Sequence, residues 1–219
     1  MADRVLEGKK IAILVETEFI PEEIKAYQQR FSALGAVVHF MSRLWNHDSL
    51  CFVSDVDAVG KSLESLEVNL DFQNVDINDY GAVIISAGYT SVRLRYFQPP
   101  EGCPISPELA RTAPAVQFFA QAMANPQIVK GAICHGLWLL TPMPELLKGR
   151  KVICHEVTLA DIANAGAIYV PSASGIVVDG DLVTGRSGGD VMAFIEAIAQ
   201  LIIQQNAQPG QKEELIAAT

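Results

Sequence analysis

KKIAILVETEFIPEEIKAYQQRFSALGAVVHFM, residues 9–41, decides the fold. Its first part, KKIAILVE (9–16), is a continuous run rich in branched apolar residues, as expected of a strand buried on both faces. PEEIKAYQQRFSALG (21–35) then sets Pro21 at a first helical position and Gly35 at the stop. Between them Ile24, Tyr27, Phe31 and Leu34 form one apolar stripe. AVVHFM (36–41) reads as a second strand. Strand, helix and strand in about 30 residues make a βαβ unit, whose strands must be parallel.

Working outward, the alternation continues. GAVIISAG (81–88), IVKGAIC (128–134), KVICHEV (151–157) and AIYVP (167–171) read as strands. AVQFFAQAMAN (115–125), LADIANAG (159–166) and DVMAFIEAIAQLIIQQ (190–205) read as helices, and HGLWLLTPMPELL (135–147) as one starting directly after Cys134. GIVVDGDLVTG (175–185) carries Asp179-Gly180 between two apolar runs, a hairpin signal. Residues 42–79 are irregular, with short strands and a short helix, and the Pro-rich stretch 95–114 reads as a long extended loop. With no repeat and no linker, the expectation is one α/β domain with a mostly parallel sheet over residues 1–206 and a polar tail at 207–219.

Composition narrows the function. The 219 residues are 50% hydrophobic and 19% charged, a globular balance, and the net charge is −9. No basic cluster offsets that charge, which argues against nucleic acid and anionic membranes as partners. No apolar run approaches the ~18 residues of a membrane span, and MADRVLEGKK lacks a signal-peptide core, so a cytoplasmic protein is expected. Cys51, Cys103, Cys134 and Cys154 show neither C-x-x-C pairing nor zinc-site spacing, so free thiols and no metal are expected.

In open α/β sheets, chemistry gathers beyond the C-terminal strand ends. Cys134-His135-Gly136 closes one strand, and Ala132-x-Cys134-x-Gly136 matches the G-x-S-x-G elbow with Ala for the first Gly and Cys for Ser. Small residues on either side let strand and helix close around a strained turn. A helix from Gly136 would favour a thiolate at Cys134 and lower its pKa, and the His135 N–H would bind an oxyanion. The competing reading is a small buried cysteine. Gly88 closes VIISAG, where a missing Cβ lets backbone approach a ligand; its N–H becomes a second oxyanion donor if the two strands are neighbours. Otherwise it is an ordinary strand-end turn.

Four carboxylates, Glu16, Glu18, Glu22 and Glu23, lie on the first βα connection. At ~100° per residue Glu23 falls about 60–70° from the stripe's centre and leans inward, whereas Glu22 faces water. Glu23 beside a thiol can stay protonated and donate a hydrogen bond to the thiolate. Glu18 and Glu22 read as solvated complements of the helix dipole. His135 adjoins Cys134 and His155 ends the KVIC strand, so either could move protons; His39 and His47 read as structural. Cys154 reads as buried and Cys103 as exposed without an activating group. Arg93 and Arg95 either attract an anionic substrate or belong to a solvated or interface surface.

KGAICHGLWLL, LLKGRKVICHEVTLADIANAG, VVDGDLVTGRSGGD and EFIPEEI together resemble the ThiJ/PfpI superfamily over about residues 9–203. That superfamily includes PfpI-type intracellular proteases, glyoxalase III-like hydratases and the parkinsonism-linked deglycase, on a fold like that of class I glutamine amidotransferases. The resemblance implies a flavodoxin-like sandwich, a homodimer or higher homo-oligomer, Cys134 as nucleophile with Glu23 hydrogen-bonded to it, and oxyanion donors at Gly88 and His135. His155 matches a histidine of the deglycase branch, and Arg186 an arginine near the site or dimer interface. The protease branch keeps a glutamate shortly after its GG; here SAGYTSVRLRY puts Ala87 at the first Gly and Val92 at the glutamate. A glutamine amidotransferase would need a late His-x-Glu, and no histidine follows His155.

Three functions follow as expectations. The first is a cofactor-independent cysteine enzyme acting on small reactive carbonyls, as in glyoxalase III or the deglycase. The second is a PfpI-type protease or amidase. The third is a non-enzymatic redox-sensing stress protein whose Cys134 oxidises.

Overall fold

Continuous apolar runs become strands here because helices cover both faces of one sheet. In the computed structural model, which describes residues 4–55 and 62–207, β1 (Lys10–Leu14), α1 (Pro21–Ala33) and β2 (Val37–Met41) form the expected parallel unit. A short antiparallel pair follows, β3 (Leu50–Val53) and β4 (Ser65–Val68). β5 (Tyr80–Ile85) returns beside β1, and α2 (Thr90–Arg93) and α3 (Pro114–Ala124) lead to β6 (Val129–Ile133), parallel to β5. β7 (Lys151–Val152), α4 (Leu159–Asn164) and β8 (Ile168–Tyr169) build a small parallel pair outside the main sheet. The hairpin β9 (Ile176–Asp179) and β10 (Leu182–Gly185) and the long α5 (Val191–Ala207) complete the described chain.

The main sheet runs β2-β1-β5-β6-β10-β9, parallel except for β9. This is a flavodoxin-like α/β architecture. Alternate residues of each strand go to opposite layers. Ile11, Ile13, Ala82 and Ile84 meet α1 and α5 through Tyr27, Phe31, Phe194 and Ile198. Ala12, Leu14, Val83 and Ile85 meet the α3 and α4 side through Phe118, Phe119 and Ile162. Gly131 lets α5 lie close on β6: a Cβ there would come within 2.8 Å of Phe194 and 2.9 Å of Ile198. Among the described residues no helix is long and apolar enough to cross a membrane.

Several expected elements change form. HGLWLLTPMPELL is no α-helix; it holds two 3₁₀ segments, Gly136–Leu140 and Pro144–Leu146. Pro142 and Pro144 each remove a backbone donor and stop a helix from running on. KVICHEV is a strand only at Lys151–Val152, because the Ile153 N–H goes to the Thr184 hydroxyl at 2.9 Å instead of a ladder. The 95–114 loop contains a 3₁₀ stretch, Pro107–Thr112. Within 42–79 the expected short helix is two 3₁₀ turns, capped by the side chains of Asp71 and Asp76. The hairpin turn is centred one residue later than expected: Leu182 pairs with Asp179, leaving Gly180, at φ 59°, and Asp181 as the loop. The expected tail at 207–219 lies, but for its first residue, outside the described residues.

Asp181 thereby reaches a partly buried ion network. The Lys130 ammonium, fully buried in β6, meets its carboxylate at 2.5 Å and the Asn125 carbonyl at 2.8 Å. Arg150 bonds Asp181 at 2.9 Å and Asp179 at 2.7 Å.

Candidate active site

β6 runs straight into Cys134, which takes φ 58°, a left-handed conformation that costs a residue with a Cβ ~1–2 kcal/mol. Backbone bonds hold the turn from both sides: Cys134 N–H to the Gly185 carbonyl at 2.9 Å, and His155 N–H to the Cys134 carbonyl at 3.2 Å. The chain can turn away after Cys134 because the flanking residues are small. A Cβ on Gly136 would come within 3.3 Å of both Ala132 Cβ and the Ile85 carbonyl. This is the elbow that the sequence pattern implies.

β5 and β6 are neighbours, with Ile85 opposite Ala132, so the Gly88 end of one meets the Cys134 end of the other. The backbone N–H groups of Gly88 and His135 both favour the charged form of the Cys134 sulfur. Gly88 sits at φ 80°, and a Cβ there would fall 2.2 Å from the Glu18 carbonyl oxygen. Gly88→Ala therefore forces the first βα connection and the β5 end apart. The expected result is a loss of about 1–3 kcal/mol in urea unfolding; an unchanged midpoint would show that the close approach is not needed.

Glu23 does more than lean inward: it is 1% exposed. Its carboxylate accepts the Ala87 N–H at 2.7 and 3.0 Å and the Tyr27 hydroxyl at 2.5 Å; the hydrogen bond to Cys134 that the resemblance implies is not among these, and Glu23 acts on that sulfur through its charge. Tyr27, four residues along α1, is the hydrogen-bond partner that the apolar stripe concealed, since i,i+4 spacing puts both on one helix face. Burial pushes the Glu23 carboxyl from 4.5 up to about 7, against the pull of the Tyr27 and Ala87 bonds. Burial, then the Glu23 charge, pushes the Tyr27 phenol well above 10, so it stays a donor.

These shifts predict a pH dependence of stability. The folded protein keeps a proton on Glu23 that the unfolded chain releases near 4.5, so stability falls as pH rises from there to about 7. The gap between 4.5 and about 7 corresponds to about 3 kcal/mol. Glu23→Gln cannot ionise and escapes that loss. Relative to the native protein it is expected to gain up to about 3 kcal/mol between about pH 5 and 8 in urea titrations. A stability difference that does not vary with pH would contradict this.

The thiol behaves differently from expectation. Burial first, then the Glu23 charge, pushes Cys134 up to about 12, and the His135 and Gly88 N–H groups offset only part. The lowered pKa expected from a following helix is not found, because the segment after Cys134 is a short 3₁₀ turn and the sulfur is largely enclosed. Glu23 and Cys134 cannot both ionise cheaply, so the pair titrates as a unit.

His135 and His155 both reach the site. The His135 ring stacks on Trp138 at 5.1 Å and takes the His155 ring edge-on at 4.9 Å, with Tyr89 at 5.3 Å. The His135 carbonyl accepts the Ser91 hydroxyl at 2.9 Å. His155 Nδ1 accepts the Val157 N–H at 3.4 Å and lies 3.5 Å from Glu156. Tyr89 and Trp138 are site walls that sequence reasoning missed; each lies four residues or fewer from a recognised position.

Other candidates stand apart. Arg186 is exposed, with its guanidinium 3.6 Å from Asp190. Glu18 pairs with Arg93 at 2.8 Å and is not a freely solvated helix-end charge. Arg93 and Arg95 both border an open hollow of about 640 Å³ beside Tyr89. Val92 is 36% exposed. His39 bonds Tyr80 at 2.8 Å, Cys154 is buried, and Cys51 and Cys103 are exposed. Among the described residues no three His, Cys, Asp or Glu side chains converge as a metal-holding group.

The end of a central parallel strand in this flavodoxin-like fold thus holds a cysteine at positive φ with a buried carboxyl beside it. The DJ-1/PfpI family profile matches residues 102–201, so this part of the chain is similar to that family. The chain is 27% identical to the Bacillus subtilis protein named "Putative cysteine protease YraA" over 191 residues, 85% of this chain and 94% of that protein. A DJ-1 superfamily protein from Salmonella typhimurium shares the fold at TM-score 0.65 and 21% identity, over 91% of this chain and 96% of that one. The "putative protease I" of Bacteroides thetaiotaomicron does so at TM-score 0.63 and 14% identity, over 89% and 99%.

Proposed function

We propose that this protein is a cysteine-dependent, cofactor-independent enzyme acting on small reactive carbonyls such as glyoxals. The observation that carries the reading is the pairing of a thiol with a buried carboxyl poised near neutrality. Glu23, pushed up to about 7, is divided between its two forms at cellular pH and can take the thiol proton that Cys134 holds tightly.

In the first step Cys134 sulfur bonds the aldehyde carbon, its proton passes to Glu23, and the carbonyl oxygen becomes an alkoxide near the Gly88 and His135 N–H groups. Protonation of that oxygen gives a hemithioacetal. The C–H proton then moves to the neighbouring carbonyl carbon through an enediol, with Glu23 or His155 as carrier, leaving a thioester. Water displaces the sulfur, releasing a hydroxy acid and restoring the thiol. Net addition of water balances the reaction, so no external oxidant or reductant is required.

The relatives' names favour peptide or amide hydrolysis by the same thiol, and that is the second reading. Val92 weighs against it, because the branch's orienting glutamate has no counterpart there. A panel of glyoxals, amides and peptides separates the two. Turnover of glyoxal or methylglyoxal to the hydroxy acid supports the first; release of amines from amides or peptides with no glyoxal turnover overturns it. We place the protein, again as a proposal, in the cytoplasm as a homodimer or larger homo-oligomer.

A further inference from the structure

Every arginine of this chain but Arg95 pairs with a carboxylate among the described residues. That exception is unexpected where 25 acidic residues outnumber 16 basic ones. Arg95 makes one hydrogen bond among the described residues, from Nη1 to the Thr141 hydroxyl oxygen at 3.2 Å. Its Nε and Nη2 have no protein partner there, yet neither is a buried atom, so both present open surface. Burial lowers the pKa of this half-buried group and the Asp161 charge opposes the shift, but a guanidinium stays charged at any physiological pH. An unpaired charge partly withdrawn from water is costly, and a bound anion would relieve the cost.

The space beside Arg95 suits such an anion. Arg95 borders the open hollow of about 640 Å³, together with Glu18 and Arg93. Those two neutralise each other at 2.8 Å, so the uncompensated charge of the hollow is that of Arg95. Val92, Ala110 and Pro142 give it apolar sides, and Tyr89 and Tyr96 aromatic ones. Two contacts tie it to the Cys134 site. Tyr89 borders the hollow, and its ring lies 5.3 Å from that of His135. The Thr141 hydroxyl, which accepts from Arg95, donates to the Trp138 carbonyl at 2.8 Å, and the Trp138 ring stacks on His135 at 5.1 Å. Arg95 is thereby fixed relative to the elbow. The volume equals about twenty waters at liquid density, far more than a two- or three-carbon glyoxal fills.

We infer that this hollow is a tail subsite of the Cys134 site, where Arg95 selects reactive carbonyls whose chain ends in a carboxylate. The open Nε and Nη2 form a fork that takes both carboxylate oxygens side by side. The carbons between the two ends lie along Tyr89, Val92 and Pro142. The inference rests on the carbonyl chemistry proposed for Cys134 and adds the class of substrate to it.

The test compares ω-carboxy 2-oxoaldehydes of increasing chain length with their ω-carboxamides, which share the reactive end and differ in tail charge. For the native protein kcat/KM should favour the acid over the amide by about tenfold or more at the best length, the scale of a charge-assisted hydrogen bond. Arg95→Gln should bring that ratio to about one, and Arg95→Lys should restore part of it. A merely structural arginine would lower both rates together and leave the ratio as it was, which would overturn the inference. So would a native ratio of one or less at every length, a result that stands whether or not Arg95→Gln folds. Binding separates the subsite from the reaction. Unreactive saturated carboxylates of the same lengths, and their amides, are titrated by NMR against the native protein and Arg95→Gln. Carboxylate binding at the hollow that is lost in Arg95→Gln, without turnover of any aldehyde, would keep the anion subsite and discard the carbonyl chemistry. Neither binding nor turnover would discard both, and turnover without preference for the acid would discard the subsite alone.

Discussion

Replacing Cys134 with alanine is expected to reduce turnover of glyoxals by about 10³-fold or more, the scale seen when a covalent nucleophile is removed. The scale follows from the proposed sequence of steps: every one after the first takes place on a carbon bonded to that sulfur. Cys134→Ser should be nearly as inactive. A serine hydroxyl is harder still to deprotonate than a thiol already held up to about 12, and Glu23 at about 7 is too weak a base for it. Neither substitution should unfold the protein, because the buried volume changes little. Stability by urea unfolding therefore serves as the control. Turnover by Cys134→Ala at the native rate, with an unchanged fold, would remove the thiol from the mechanism. The native rate should rise with pH through about 7, as Glu23 gains the form that accepts a proton. Glu23→Gln should lose that limb of the profile as well as most of the rate.

How far these features can be read from the sequence depends on whether their cause is local. The βαβ unit of residues 9–41 is legible because continuous apolar runs and one helical stripe are local patterns. The elbow is legible because its steric requirement falls on Ala132 and Gly136, two residues either side of Cys134. Gly88 is legible as a strand end, but its role depends on β5 lying beside β6, which only the fold supplies. Glu23 shows the limit of a helical wheel. Its angle predicts a residue at the edge of the buried face, yet Tyr27 and the Ala87 N–H provide it with partners and draw it fully inside. The stretch after Cys134 has helical composition, and Pro142 and Pro144 outweigh it. The thiol pKa was not legible at all, since desolvation is a property of the assembled site.

Lys130 is the strongest case of a residue whose sequence setting hides its role. In IVKGAIC it interrupts an apolar run and would be assigned to a solvent edge. Its partner lies 51 residues away, in a hairpin turn. Asp181→Ala is expected to destabilise the protein by about 3–5 kcal/mol, the usual cost of breaking a buried ion pair from one side. It would leave the Lys130 ammonium buried with only the Asn125 carbonyl, and Arg150 with Asp179 alone. Lys130→Met should cost less, because Asp181 would keep Arg150 and the methionine fills the same space. The order of the two variants is thus the informative result. pH provides a second readout. Burial already lowers the Lys130 pKa, against the bonds from Asp181, so removing Asp181 lowers it further. The unfolded chain then holds a proton that the folded variant gives up, and stability of Asp181→Ala should recover as pH rises toward 10.5. For Asp181 itself burial raises the carboxyl pKa, but the hydrogen bonds and charges of Lys130 and Arg150 outweigh it and leave it lowered. The native network therefore keeps its contribution through neutral pH and loses it only in acid, as pH falls through that lowered value. Urea unfolding of both variants at neutral and alkaline pH checks this. Equal losses with no alkaline recovery would mean that the pair acts through packing alone.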